Sequence, residues 1–264
     1  LVVSHLIAAL SAVFPDGEDF FVRSVRHFRT QVDDPRLARD IAGFIGQEAT
    51  HGREHRMPND RLAILGYPTK AVERIVRWGL STRERLATPK ANLAATAALE
   101  HFTATLAELL LSNDEVRRVF GDNEVRSLFL WHALEECEHK AVAFDVYRAV
   151  GGSERTRVLT MNVLRVGFVL AMVAQMSVSL VLDPATYRPG ALPRSLRRFL
   201  RSPMVSRSLW RQLKDYNRPD FHPNDRDTTA LLAEWRGSLF GENGTLTAKL
   251  ARPALAGPQA TPRI

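Results

Sequence analysis

The chain has 264 residues, 45% of them apolar and 25% charged, which is enough to bury a core and close to the average globular composition. That composition excludes a wholly disordered chain, a collagen and a disulfide-stapled miniprotein, and the single cysteine, Cys137, points to a reducing, cytoplasmic setting. The formal charge of +7 invites nucleic acid or an anionic membrane as partner.

Leu1 to Val13 is apolar, lacks a basic leader and contains His5, which sets it apart from a signal peptide. Phe14-Pro15-Asp16-Gly17 reads as a break, with Asp16 capping a helix from Gly17 to about Val32 and Glu18 in its first turn. Asp34-Pro35 reads as a second cap, opening a helix through Ile41, Phe44, Ile45 and His51 towards Leu65, with Gly66 as its stop and Pro58 as a kink or interruption. Pro68 opens a third segment to about Leu86. Thr88-Pro89 opens a fourth, Ala- and Leu-rich, to about Ser112. A fifth helix is expected over Asn123–Val150, closed by Gly151-Gly152. Ser153 then caps a very apolar segment to Leu182, and amphipathic pieces follow near 193–202, 205–216 and 225–240. With no alternating β-branched runs between hairpin turns, the fold class is all-α. Residues 1–152 read as a helical bundle. Residues 153–240 read as an apolar helix plus basic amphipathic helices packed on the bundle or a membrane, and 241–264 as a poorly ordered tail.

The charge is local. Residues 184–218 hold nine basic side chains and one acid, Asp215, so this stretch carries +8 and the rest of the chain −1. Its Leu196, Phe199 and Leu200, then Leu209, Trp210 and Leu213, alternate with Arg in the pattern of a helix lying on an anionic membrane. No nucleic-acid-binding module appears, so nucleic acid is not expected as partner. Val166–Leu182 runs seventeen residues without a charge, a marginal length for a bilayer span. Burial against the bundle or in a homodimer interface is the favoured use.

Two predicted helices carry Glu-x-x-His: Glu48-Ala49-Thr50-His51 and Glu136-Cys137-Glu138-His139. Side chains at i and i+3 share one side of a helix, so each pair projects a carboxylate and an imidazole together. One such motif arises easily by chance. Two on separate long helices, preceded in order by the single acids Glu18 and Glu100, match the ligand order of four-helix di-metal carboxylate proteins. His132 lies in the same sector as Glu136 and His139 and joins the candidate ligands. His55, one helical face with Glu48, reads as a supporting donor or an exposed residue. Glu135 and Glu138 read as orienting ligand imidazoles or facing solvent, Glu108 as a supporting group, His101 as pointing elsewhere, and Cys137 as packing. His27 and Arg23 read as salt-bridge formers. His51-Gly52-Arg53-Glu54-His55 also matches the pattern of inverted zinc peptidases, a reading that leaves the remaining Glu and His residues without a purpose. Carboxylates and imidazoles suit Fe or Mn, as an Fe/Fe or a mixed Fe/Mn pair. The function expected from this set is O2-dependent oxygenation or oxidation of a small, apolar-leaning organic substrate. The alternative is hydrolysis of an ester or amide by a metal-activated water.

The stretches FPDGEDFFVRSVRHFR, FIGQEATHGREH, ALEHFTATLAELLL and HALEECEHKAVAFDVYRAVGG resemble a bacterial family of predicted metal-dependent hydrolases, over most of residues 14–152. The resemblance implies a ferritin-like bundle. His132-x-x-x-Glu136-x-x-His139 is similar to the di-iron site of p-aminobenzoate N-oxygenases, which implies the ligand set Glu18, Glu48, His51, Glu100, His132, Glu136 and His139.

Overall fold

The helix starts follow their capping residues. Asp34 Oδ1 accepts from Arg36 N at 2.8 Å with Pro35 in the first turn, and Thr88 Oγ accepts from Ala91 N at 3.2 Å with Pro89 following. Asp122 accepts from Glu124 N and Val125 N at 2.8 and 3.0 Å, and Ser153 from Thr156 N at 3.2 Å. Each cap satisfies amide donors that the first helical turn cannot. The computed structural model describes residues 1–247, and these are all-helical, with no strand among them. The helices are α1 (Val2–Arg26), α2 (Pro35–Ile64), α3 (Thr69–Leu86), α4 (Pro89–Ser112), α5 (Asp114–Arg117) and α6 (Asn123–His139). They continue as α7 (Val142–Ala149), α8 (Glu154–Leu182), α9 (Ala191–Leu200), α10 (Arg207–Asp215) and α11 (Thr229–Phe240).

α1 pairs with α2, and α4 packs against α6, α7, α8 and α1. The alanine run of α4 is thereby explained: Ala94, Ala95, Ala97, Ala98, Ala104 and Ala107 are buried, and their small side chains let helices approach from several sides. Phe20, Ile41, Phe44, Leu93, Phe144 and Tyr147 form the main core, completed by Met161 of α8 and by Leu213, Tyr216 and Phe221 beyond it. The C-terminal helices thus share the core of the bundle.

Three sequence expectations are corrected. α1 does not break at Phe14–Gly17 but runs straight through Pro15. A proline inside a helix frees the carbonyl four residues earlier. Here that carbonyl, Ser11 O, accepts from Asn59 Nδ2 of α2 at 3.0 Å, so the break is repaired from the neighbouring helix. α2 likewise continues through Pro58, and Gly66, at φ +95°, turns the chain away after it. The expected single helix over 123–150 is divided into α6 and α7 by a turn at Lys140–Ala141, where Lys140 is buried and its Nζ donates to Arg226 O at 2.7 Å. The short α5 has no counterpart in the sequence reading. The tail expected over 241–264 lies, from residue 248 on, outside the described residues.

α8 covers the bundle with one stripe only. Arg157, Met161, Met172 and Ser179 are buried, whereas Leu159, Val163, Val166, Leu170 and Val173 are exposed. It is the one helix among the described residues long and apolar enough to cross a membrane. Arg157 is fully buried. It donates to the carbonyls of Tyr216 and Arg218, contacts Glu154 Oε2 at 2.7 Å, and lies 4.9 Å from the Tyr216 ring centroid. Arg157→Ala is expected to cost about 3 kcal/mol, because it empties a buried side-chain site and leaves the carbonyls of Tyr216 and Arg218 without their donor. Chemical denaturation measures it, and a loss below about 1 kcal/mol would contradict the role of this residue as the clamp between α8 and the segment after α10.

Candidate metal centre

Four helices send seven ionisable side chains into one buried space. α1 contributes Glu18, α2 Glu48 and His51, α4 Glu100, and α6 His132, Glu136 and His139, and each is at most 4% exposed. α1 and α2 approach closely there because Gly52 carries no side chain. A Cβ at Gly52 would stand 3.3 Å from Glu18 Oε2 and 3.5 Å from Pro15 O.

Within this space, ligand atoms of Glu18, His51, His132 and Glu136 lie within 4.8 Å of one another, and those of Glu48, Glu136 and His139 do the same. Glu136 belongs to both groups. Glu100 joins the second, its Oε2 lying 3.6 Å from His139 Nε2. His139 Nε2 is also 3.1 Å from Glu48 Oε1, and His132 Nε2 is 3.0 Å from Glu136 Oε1 and 3.6 Å from Glu18 Oε1. The structure therefore brings together all seven residues singled out in the sequence.

Each imidazole turns one nitrogen to the carboxylates and the other to a neighbouring side chain. His51 directs Nδ1 towards Glu48 Oε1 at 3.4 Å, while its Nε2 lies 3.0 Å from Glu135 Oε2, a contact too bent to form a regular hydrogen bond. His132 Nδ1 pairs with His55 Nε2 at 2.8 Å. His139 Nδ1 donates to Gln47 Oε1 at 2.9 Å. Such partners fix the ring orientation that a metal ligand needs. Behind His55 a buried chain continues: His55 Nδ1 to Ser11 Oγ at 2.9 Å, Ser11 Oγ to Asn59 Oδ1 at 2.7 Å, and Asn59 Nδ2 to Glu73 Oε1 at 3.2 Å.

The electrostatics of the space are strained without a cation. Burial, and then the charge of Glu48, push the Glu18 carboxyl well above the usual carboxylate range. Glu100 is pushed up the same way, by burial and then by Glu48 and Glu136. Burial also opposes charge on Glu48, but its contacts with His139 and His51 outweigh that and hold it low. Burial disfavours a charged His51, yet Glu135 and Glu48 raise it well above the ordinary imidazole value. Burial, then neighbouring imidazoles, hold His132 and His55 well below it. Both carboxylate oxygens of Glu18, Glu48 and Glu100, together with Glu136 Oε2, His51 Nδ1 and His139 Nε2, are buried with no hydrogen-bond partner. Unpartnered buried polar atoms are costly and uncommon, and nine of them on six residues facing one space are what metal ions satisfy. The residues present fit a pair of cations.

A family model described as "Predicted metal-dependent hydrolase" matches residues 1–227. The chain belongs to the predicted metal-dependent hydrolase family. The match takes in the whole bundle, α8 and both basic helices of this family member. No curated protein and no solved structure matches the chain.

His55 is buried and supports His132. Glu135 sits behind His51, and Glu138 contacts Gln47 Nε2 at 3.1 Å and Arg236 Nε at 2.7 Å. His101 does point elsewhere, to Gln212 O, and Cys137 packs in the core. Arg23 pairs with Glu84, whereas His27 packs against Phe28 and has no ion pair among the described residues. Glu108 is corrected: it pairs with Arg226 near the surface and supports nothing at the centre. In the inverted-peptidase pattern, Glu54 pairs with Arg53 on the outside of α2, away from the space that His51 faces. Gln47 was missed. Its only signal is its place directly before Glu48. Gln47→Leu should weaken metal binding 10- to 100-fold while leaving the helical spectrum intact, and a metal titration followed by circular dichroism checks both.

Proposed function

We propose that this chain is a metal-dependent hydrolase with a dinuclear centre, cleaving an ester or amide of an organic substrate. The observation that carries the reading is the set of buried, unpartnered carboxylate and imidazole atoms on four helices, supported by the family match. Glu18, His51 and His132 would hold one ion, Glu48, Glu100 and His139 the other, with Glu136 between them. When bound, such a pair supplies Lewis-acid activation of water, or, if redox-active, electrons for reducing O2. Gln47, His55 and Glu135 keep the ligand rings in place, and the apolar residues around them exclude bulk water.

A second reading, oxidation of the substrate with O2 by an Fe/Fe or Fe/Mn pair in a ferritin-like bundle, is favoured by the donor set itself, four carboxylates and three imidazoles. One experiment separates the two. Metal content is measured on anaerobically purified protein, and turnover of a panel of esters and amides is followed before and after O2 is admitted. Anaerobic cleavage that survives replacement by a redox-inert divalent ion supports the hydrolase. Optical and Mössbauer changes that require O2, without anaerobic cleavage, overturn it in favour of the oxygenase.

For location, we propose a cytoplasmic protein whose basic α9 and α10 rest on an anionic membrane surface. Leu196, Leu200 and Trp210 are exposed between arginines there, which supports the reading. Replacing Arg197, Arg198 and Arg201 by Ser is expected to weaken binding to anionic vesicles by about two orders of magnitude, at about 1 kcal/mol per arginine. Absence of vesicle binding by the parent protein would overturn it. A homodimer through the exposed stripe of α8 is the other outcome, read by sedimentation.

A further inference from the structure

A cavity of about 360 Å³ runs between α1, α4 and α8 and ends on the metal centre. Its walls include Phe21, Leu99, Phe102, Leu106, Leu110 and Met172, and its polar groups are few. Glu18, His132 and Glu136 lie together on one side. Thr103 has its hydroxyl engaged with Glu100 O at 3.0 Å. Gln175 completes the set, its Oε1 buried and without a partner.

The cavity is long. Along α8 its lining extends from Leu164 to Gln175, roughly 16 Å at helical rise. An apolar wall of that length and a volume of about 360 Å³ suit an extended hydrocarbon chain. Its orientation is fixed by His5, which contacts Ser179 at 2.6 Å and Asp183 at 3.0 Å, so α1 and α8 run in opposite directions. Glu18 is then level with the neighbourhood of Gly167, and Gln175 lies at the far end beside Ile7. Gly167 and Ala171 line the cavity and are exposed, which places its mouth on α8 next to the metal centre.

We propose that this slot binds a molecule bearing an unbranched hydrocarbon chain, with the chain extended along α8 towards Gln175 and the reactive group held at Glu18, His132 and Glu136. The inference rests on the proposed metal-dependent function only for which end reacts. The slot itself is a property of the apolar walls.

The test is calorimetric titration of the purified full chain with 1-alkanols from butanol to decanol, with metal content measured on the same sample. Affinity is expected to rise about fourfold per methylene, up to the length the slot accepts. A Cβ on Gly167 meets nothing within 4 Å, so Gly167→Phe fits the helix and places a ring at the mouth. It should weaken the whole series at least tenfold with the melting temperature retained, and Ala171→Phe should do the same. Affinity independent of chain length, or an unchanged series in both variants, overturns the slot. Chain-length dependence in protein that holds no metal would leave the slot standing and sink the metal reading. Metal at full occupancy without chain-length dependence would do the reverse.

Discussion

Glu136→Ala is expected to remove both metal ions, whereas Glu18→Ala and Glu100→Ala each remove one. The difference follows from position. Glu136 is the residue common to the two ligand groups, its Oε1 lying 3.0 Å from His132 Nε2, 3.7 Å from His51 Nδ1 and 3.8 Å from His139 Nε2. A carboxylate placed between two cations would neutralise both, and without it each ion would lose a ligand and face the other unscreened. Glu18 touches only the first group, and Glu100 lies beside His139 of the second. The measurement is metal per chain after dialysis, falling from about two to near zero for Glu136→Ala and to about one for each of the others. Glu136→Gln keeps the side-chain volume and should match the alanine variant, which distinguishes lost charge from a lost wall. A Glu136→Ala protein that retains one ion would show that the two groups are independent sites.

The cluster was legible in the sequence because its Glu and His residues recur at helical spacing. Glu-x-x-His survives any uncertainty about helix ends, since both members lie on one turn. The supporting residues were legible where they obeyed the same spacing: His55 shares a face with Glu48, and Glu135 adjoins Glu136. Gln47 was not, because its contact with His139 crosses from α2 to α6 and leaves no periodic trace. The start of α1 was misread for a related reason. Pro15 argues locally for a break, and the compensation comes from Asn59, forty-four residues away. The α6–α7 turn also depends on a distant partner, the Arg226 carbonyl that holds buried Lys140. Local propensity reports local cost, and in each case a tertiary hydrogen bond offset it.

Chelating the metals from loaded protein should lower its melting temperature by about 10 °C. Ions that bind the native state a thousandfold above their dissociation constant stabilise it by about 4 kcal/mol, and 1 kcal/mol shifts a domain of this size by roughly 2–4 °C. The structure gives reason to expect that full linkage. The candidate ligands come from α1, α2, α4 and α6, so bound ions would join four helices that otherwise meet through side-chain packing. The same helices build the core: Phe44 lies edge-on to His139 at 5.0 Å between ring centroids, and Phe20 is buried two residues from Glu18. Without cations, the carboxyls of Glu18 and Glu100 are driven far above their ordinary range by burial and by Glu48, which marks the cost of holding acids there unpaired. The control is Glu136→Ala, in which the chelator should change nothing because no metal is bound. An equal shift in that variant would mean that the chelator acts elsewhere. No shift in the loaded parent would mean that the bundle stands without its ions, leaving the seven buried ligands without the energetic role assigned to them.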